Sequence, residues 1–257
     1  MKILILPDAK AASDAAAARI LSHLASRPRA VLGLATGGTM KAVYETLRTV
    51  LGRCQAAFTS FNLDEYVGLP PTHPQSYAHY MKTHFFDAIA LPAAASHLPR
   101  GDAPDPVAEA ARYEAAITAA GGIDLQLLGL GANGHIGFNE PTSSLASRTR
   151  LKTLTRKTVE DNARFFGPNE VVPRRAITMG IGTILDARAI LLLATGASKR
   201  DAVARMIEGP VSAACPASAL QMHPDVTVVI DEAAAANLRL RDYYDTVHPN
   251  GSDHAPD

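Results

Sequence analysis

Net charge is the first thing this chain lacks. Its 257 residues carry 25 acidic against 25 basic side chains. That balance gives no basic field to attract nucleic acid or an anionic membrane. Any anion site must therefore be a local cluster of cations and backbone amides. Cysteine is scarce as well. Only Cys54 and Cys215 occur, far apart and without metal-site spacing, which suits free buried thiols in a reducing compartment. Long apolar runs are missing at the start, where residues 3–6 are too short a stretch for a signal peptide or a membrane span. A soluble cytoplasmic protein with neither nucleic-acid nor membrane partner is expected.

Motifs for covalent chemistry are absent too. No Gly-x-Ser-x-Gly turn occurs, and neither cysteine has an activating setting. No Gly-x-x-x-x-Gly-Lys-Ser/Thr loop marks a nucleoside triphosphate site. The nine histidines are scattered without ligand spacing such as His-x-x-x-His, so no metal site is expected. What remains is proton transfer.

The groups that could move protons concentrate in one stretch. An apolar run at residues 123–130 leads into Gly131-Ala132-Asn133-Gly134-His135-Ile136-Gly137-Phe138-Asn139-Glu140-Pro141. Glycines there let the backbone turn tightly and approach a ligand. Histidine is the side-chain type suited to proton transfer near neutrality, and Glu140 can orient His135 or hold its charge. Residues 129–134 also match the glycine pattern of a dinucleotide-binding turn. That reading fails, because a Gly and a Pro stand where a helix should open and no acid follows Glu140 until Glu160.

Around this stretch, apolar strands alternate with helices. Strands are expected at residues 3–6, 30–35, 58–63, 123–130, 189–194 and 226–230, with extended segments at 150–155 and 176–180. Helices are expected at 11–25 (Ser13 as cap), 40–51, 76–89, 106–120, 159–166, after Lys199 to about 208, and 232–240. Strands that are apolar throughout indicate an α/β fold: a doubly wound, Rossmann-like, mostly parallel sheet with helices on both faces. No repeat or linker divides the chain, so residues 1–247 read as one domain. Residues 248–257 read as a disordered tail.

In such sheets ligands bind beyond the carboxyl ends of the strands. Four polar clusters obey that rule, each following an apolar strand: Thr36-Gly37-Gly38-Thr39, Asp64-Glu65, residues 133–140, and the turn from Thr195 to Lys199. The first and last sit between strand and helix, where backbone N–H groups attract an anion. For either turn alone, ordinary turn chemistry would suffice. Asp64 or Glu65 could supply a base on the rim that holds His135. Arg148, Arg150 and Lys152 alternate with Thr149, Leu151 and Thr153. Extended, the three cations share one face, as an anion site, a subunit contact or a charged edge strand.

Taken together these residues resemble the glucosamine-6-phosphate deaminase (isomerase) family. The carriers are Leu-Ala-Thr-Gly-Gly-Thr at 34–39, Phe-Asn-Leu-Asp-Glu-Tyr-Val-Gly-Leu-Pro at 61–70, His-Pro-Gln-Ser-Tyr at 73–77, residues 131–141, residues 143–155 and Arg-Phe-Phe at 164–166. The resemblance runs in order to about Tyr244. It implies conversion of glucosamine 6-phosphate and water to fructose 6-phosphate and ammonium, without a cofactor. His135 would assist ring opening, oriented by Glu140 and Asn133, a position that is Asp in some members. Asp64 would move the C2 proton to C1. Thr36, Gly37, Gly38, Thr39, Glu65, Arg164 and Lys199 would bind the substrate. Met40 replaces a proline usual in the family, with little effect expected. Ser143, Arg150, Lys152 and Thr153 stand where some hexameric members bind the activator N-acetylglucosamine 6-phosphate, so an allosteric homohexamer is expected. The rivals are a galactosamine-6-phosphate deaminase, a sugar-phosphate lactonase and a non-catalytic sugar-phosphate sensor. The last is disfavoured by the full set Asp64, His135 and Glu140.

Overall fold

The computed structural model describes residues 1–52, 57–163, 166–167 and 170–252. Among these, ten strands run in chain order as β1 (Lys2–Leu6), β2 (Val31–Leu34), β3 (Thr59–Asn62), β4 (Asp64–Tyr66), β5 (Ser96–His97), β6 (Leu125–Gly129), β7 (Arg150–Thr153), β8 (Arg175–Thr178), β9 (Ala189–Ala194) and β10 (Val226–Asp231). Seven of them form one parallel sheet in the order β1-β10-β9-β6-β2-β3-β5. The sequence explains why it lies inside: in β9 and β10 residues pointing to either face are apolar and buried, from Ile190 to Ala194 and from Val228 to Ile230. A strand buried on both sides must be covered on both sides.

The interleaved helices are α1 (Ala9–Ser26), α2 (Met40–Leu51), α3 (Tyr77–Met81), α4 (Pro106–Ala119), α5 (Arg156–Ala163), α6 (Ile181–Leu185), α7 (Arg200–Ile207), α8 (Glu232–Ala235) and α9 (Arg241–Val247). Helix α1 lies across β1, β10 and β9. It presents Ala12, Ala16, Ala17 and Ile20, all essentially buried, and the small side chains permit a close approach. Its cap is Asp8, whose carboxylate accepts the Ala11 N–H, not Ser13 as expected. Ser13 is buried one turn further in, where its hydroxyl donates to the Ala9 carbonyl. The helix expected over 76–89 is shorter and changes pitch. After α3 the segment Lys82–Phe86 widens into a π-helical turn, and Ser76 caps the whole at its start. The helix expected over 232–240 is only the single turn α8, and α9 begins beyond it.

One layer was not foreseen. Strands β4, β8 and β7 form a separate antiparallel sheet. Leu63 is the joint between the sheets: its N–H donates to the Leu34 carbonyl and its own carbonyl accepts from Met179. The strand expected over 58–63 therefore ends in the large sheet, and Asp64 begins the small one, opposite Thr178. The first part of the expected tail is a turn, Pro249–Gly251, beside β1, and residues 253–257 lie outside the described residues. No described helix is long and apolar enough to cross a membrane.

Candidate active site

Strands β9, β6, β2 and β3 are consecutive in the large sheet, and each leads into one of the four polar clusters. Topology thus gathers on one rim what the sequence scatters. A cavity of about 770 Å³ opens there, with Thr36, Gly37, Gly38, Thr39, Asp64, His135 and Lys199 in its wall.

The segment after β6 supplies the imidazole. Gly131 and His135 close a loop through the Gly131 N–H and the His135 carbonyl, 2.9 Å apart. A Cβ at Gly131 would lie 2.2 Å from the His135 ring, so the ring can pack over this backbone only because residue 131 has no side chain. His135 Nδ1 stands 2.6 Å from Asn133 Oδ1. The Asn133 amide nitrogen donates to Glu140 Oε2 at 2.6 Å. A carboxylate accepts only, so the amide orientation is fixed, Oδ1 faces the ring, and Nδ1 must carry the proton. Nε2 of the neutral ring is then left with its lone pair. Glu140 is almost fully buried and lies behind the cavity wall, its Oε2 3.6 Å from Nδ1. Burial alone would raise its pKa. His135, the Thr158 hydroxyl and Asn133 overcome that and hold it at about 2, so it is a fixed negative charge at neutral pH. Asn133 carries no charge of its own and connects the carboxylate to the ring as a dipole.

Asp64 faces the same cavity under opposite conditions. It is buried beside an aromatic group in which Tyr66 and Tyr77 each pack on Phe138, at 5.4 and 6.1 Å between ring centres. Burial, helped by the neighbouring Glu65 charge, raises its pKa to about 8. Gly137 makes the room: its φ is +55°, and a Cβ there would meet Thr178 Oγ1 at 3.0 Å and Asp64 Oδ2 at 3.4 Å. Two carboxyls with pKa values driven apart are a common signature of acid–base division of labour.

Glu65 does something other than expected. It is absent from the cavity wall, and its carboxylate accepts the N–H groups of Tyr66, Tyr77 and Ala78 at 2.8–2.9 Å. Sequence alternation explains this, because successive residues of β4 point to opposite faces. Glu65 ties the start of α3 to the small sheet. Burial lifts its pKa to about 7 despite those three donors.

At the other end of the cavity, Thr36, Gly37, Gly38 and Thr39 precede α2, whose N-terminus has no side-chain cap. The turn is held by Tyr80, whose hydroxyl donates to the Gly37 carbonyl at 2.7 Å. Met40 is buried at the first helical position. The second turn contributes less than its sequence suggested: the Gly196 N–H is taken by the Asp231 carboxylate at 2.9 and 3.0 Å. Lys199 alone reaches the wall from it. Burial lowers the pKa of that amine, and burial is the sole cause, so an anion would find a poorly solvated cation. Arg164 lies outside the described residues, as does Cys54, whereas Cys215 is a free, buried thiol.

Ser143, Arg150, Lys152 and Thr153 are apart from the cavity. Ser143 is buried and its hydroxyl has no partner among the described residues. Strand β7 is an edge strand, with Thr153 exposed and Arg150 and Lys152 half-buried. Arg150 donates to Asn139 Oδ1 at 2.9 Å, and Asn139 in turn donates to the Ile136 and Met179 carbonyls. Arg148 does not join the expected row of cations. It precedes β7 and pairs with Glu114 and Asp186. Sequence reasoning missed Thr158 altogether. Its hydroxyl donates to Glu140 Oε1, and a lone threonine 18 residues from its partner carries no signal in sequence.

Fold and rim together define an α/β protein with acid–base groups around a small-molecule cavity. Residues 7–229 match the family model of glucosamine-6-phosphate isomerases/6-phosphogluconolactonase. The chain belongs to that family. Glucosamine-6-phosphate deaminase of Shewanella loihica is 56% identical over 247 residues, covering 95% of this chain and 92% of that one. The Cellvibrio japonicus deaminase is 52% identical, with 95% and 94% covered. A solved monomeric glucosamine-6-phosphate deaminase has a TM-score of 0.89 and 44% identity, covering 92% of this chain and 100% of that one. The 6-phosphogluconolactonase of Trypanosoma cruzi, at 21% identity and TM-score 0.75 over 93% and 97% of the chains, shares the fold.

Proposed function

We propose that this chain is a glucosamine-6-phosphate deaminase. The observation that carries the reading is a buried carboxyl, Asp64, and an oriented imidazole, His135, in the wall of one cavity, in a chain half identical to named deaminases. The phosphate sits at residues 36–39 with Lys199. His135 Nε2 takes the O1 proton of the pyranose and returns it to the ring oxygen, so the C1–O5 bond breaks and the aldehyde forms. The imidazolium formed in passing is stabilised by Glu140 through Asn133. Ionised Asp64 removes the C2 proton while O1 takes a proton from the substrate's ammonium group, giving the enolamine, and the Asp64 carboxyl then delivers its proton to C1, leaving an iminium at C2. Water adds at C2, the C–N bond breaks, and ammonium leaves with fructose 6-phosphate as the ketose product. Substrate binding is assigned to Thr36, Gly37, Gly38, Thr39, Arg164 and Lys199, and Glu65 supports the loop instead.

The reading extends to amino-sugar catabolism in the cytoplasm and to a hexamer regulated by N-acetylglucosamine 6-phosphate through Ser143, Arg150, Lys152 and Thr153. The support for regulation is the Arg150–Asn139 bond, which ties that cluster to the loop of His135. The test of the activity is release of ammonium and fructose 6-phosphate in equal amounts from glucosamine 6-phosphate, with galactosamine 6-phosphate in parallel. Turnover of the galacto substrate alone would move the specificity to C4. Binding without turnover of either would make the chain a sensor.

A further inference from the structure

Glu140 has two oxygens, and the relay just described uses one. Oε2 takes the Asn133 amide. Oε1 takes the hydroxyl of Thr158 on α5. The Thr158 oxygen is also 2.9 Å from Thr155 Oγ1, and Thr155 Oγ1 is 3.2 Å from the Thr158 N–H. The single Thr158 hydroxyl proton goes to the carboxylate, so the Thr155 hydroxyl must be the donor of the second bond. Two donor chains therefore converge on the carboxylate, Thr155 O–H to Thr158 O–H to Oε1 and His135 Nδ1–H to Asn133 to Oε2. Each bond along either chain is polarised by the charge it ends on. Helix α5 also carries Asn162 into the cavity wall, and Phe166 follows just beyond it.

We infer that Thr158 is a positioning residue, through which helix α5 fixes the Glu140 carboxylate and hence the orientation of His135. The inference deepens the proposed reaction and rests on that reading for its kinetic arm. A hydrogen bond to a charged group contributes about 1.5–3 kcal/mol, or roughly 10- to 150-fold if lost wholly from the transition state. Partial compensation by water makes a loss of about tenfold the expectation.

The test compares Thr158→Val, Thr158→Ser and Thr155→Ala with the parent chain, by kinetics and by carbon-13 NMR titration of Glu140. Thr158→Val should lower kcat about tenfold with KM little changed, and should raise the Glu140 titration midpoint, since a donor to the charged form is gone. Thr158→Ser should restore both, and Thr155→Ala should give a smaller change in the same direction. If Thr158 only shaped the wall through α5, KM would rise with kcat intact and the midpoint would stay put, which overturns the inference. A parent chain that turns over no amino-sugar phosphate would refute the proposed reaction instead. The Glu140 titration would still decide whether Thr158 holds the carboxylate.

Discussion

Asp64 must give up its proton to act as a base, yet burial holds that proton to about pH 8. kcat/KM, which reports the free enzyme, is therefore expected to climb with pH until Asp64 is ionised. The same shift acts on stability. Between the ordinary aspartate value of 3.8 and about 8 the folded chain binds a proton that the unfolded chain has released, so this group's contribution falls as pH rises. Asp64→Asn removes the charge at nearly constant shape. It should melt above the parent chain, by a margin that widens from pH 5 to pH 8. Thermal unfolding at the two values checks this, and an equal margin at both would contradict it. Glu65 adds a fall of the same sign, but it is common to both proteins and cancels. These residues were legible because each is a titratable group at the end of an apolar strand. What was not legible is which face each one takes. Glu65 differs from Asp64 by one step along β4, and that step sends it to the backbone of α3 instead of the cavity.

The turn from Gly131 to Glu140 works because its side chains are small where its ring must lie. A methyl group at Gly131 would fall 2.2 Å from His135 Cε1, well inside contact distance, so the imidazole must swing aside. Displacement of about 1 Å at a reacting group costs on the order of 100-fold. Gly131→Ala should lose about that factor in kcat while the chain still binds sugar phosphate. Steady-state kinetics beside a binding titration would read both, and parent-like turnover would show that the ring is placed by something else. Elements ruled by periodicity, such as α2 and β9, were legible to within a residue or two. Elements ruled by local hydrogen bonds were not. Ser13 and Asp8 are both good cap residues by type, and in the structure Asp8 accepts the Ala11 N–H while Ser13 lies inside α1 and donates to the Ala9 carbonyl. The π-helical turn at Lys82–Phe86 reads as ordinary helix for the same reason, since its apolar spacing is helical.

Across the whole molecule the large sheet follows from apolar strands alternating with helices, and the rim follows from the sheet. Strands β7 and β8 of the small sheet coincide with the extended segments expected at 150–155 and 176–180, whereas β4 is three residues long, too short to show a period. The small sheet's antiparallel order depends on which segments meet, a long-range fact. Assembly is a property of this scale too. The edge strand β7, with Arg150 and Lys152 half-buried in the single chain, supports the proposed subunit contact, while a relative with 44% identity is monomeric. The hexamer reading expects six-chain mass in solution and velocity raised by N-acetylglucosamine 6-phosphate at low substrate, with the rise lost in Lys152→Ala. Monomer mass with no response would refute it. The central claim is that a buried Asp64 and an oriented His135 in the wall of one cavity make this chain a deaminase. Ammonium release from glucosamine 6-phosphate, measured side by side for the parent chain and Asp64→Asn, tests it most directly. The account expects one fructose 6-phosphate per ammonium from the parent and at least a thousandfold less from the variant, roughly the contribution of a positioned base or more. Equal release by both, or none by the parent, would contradict it.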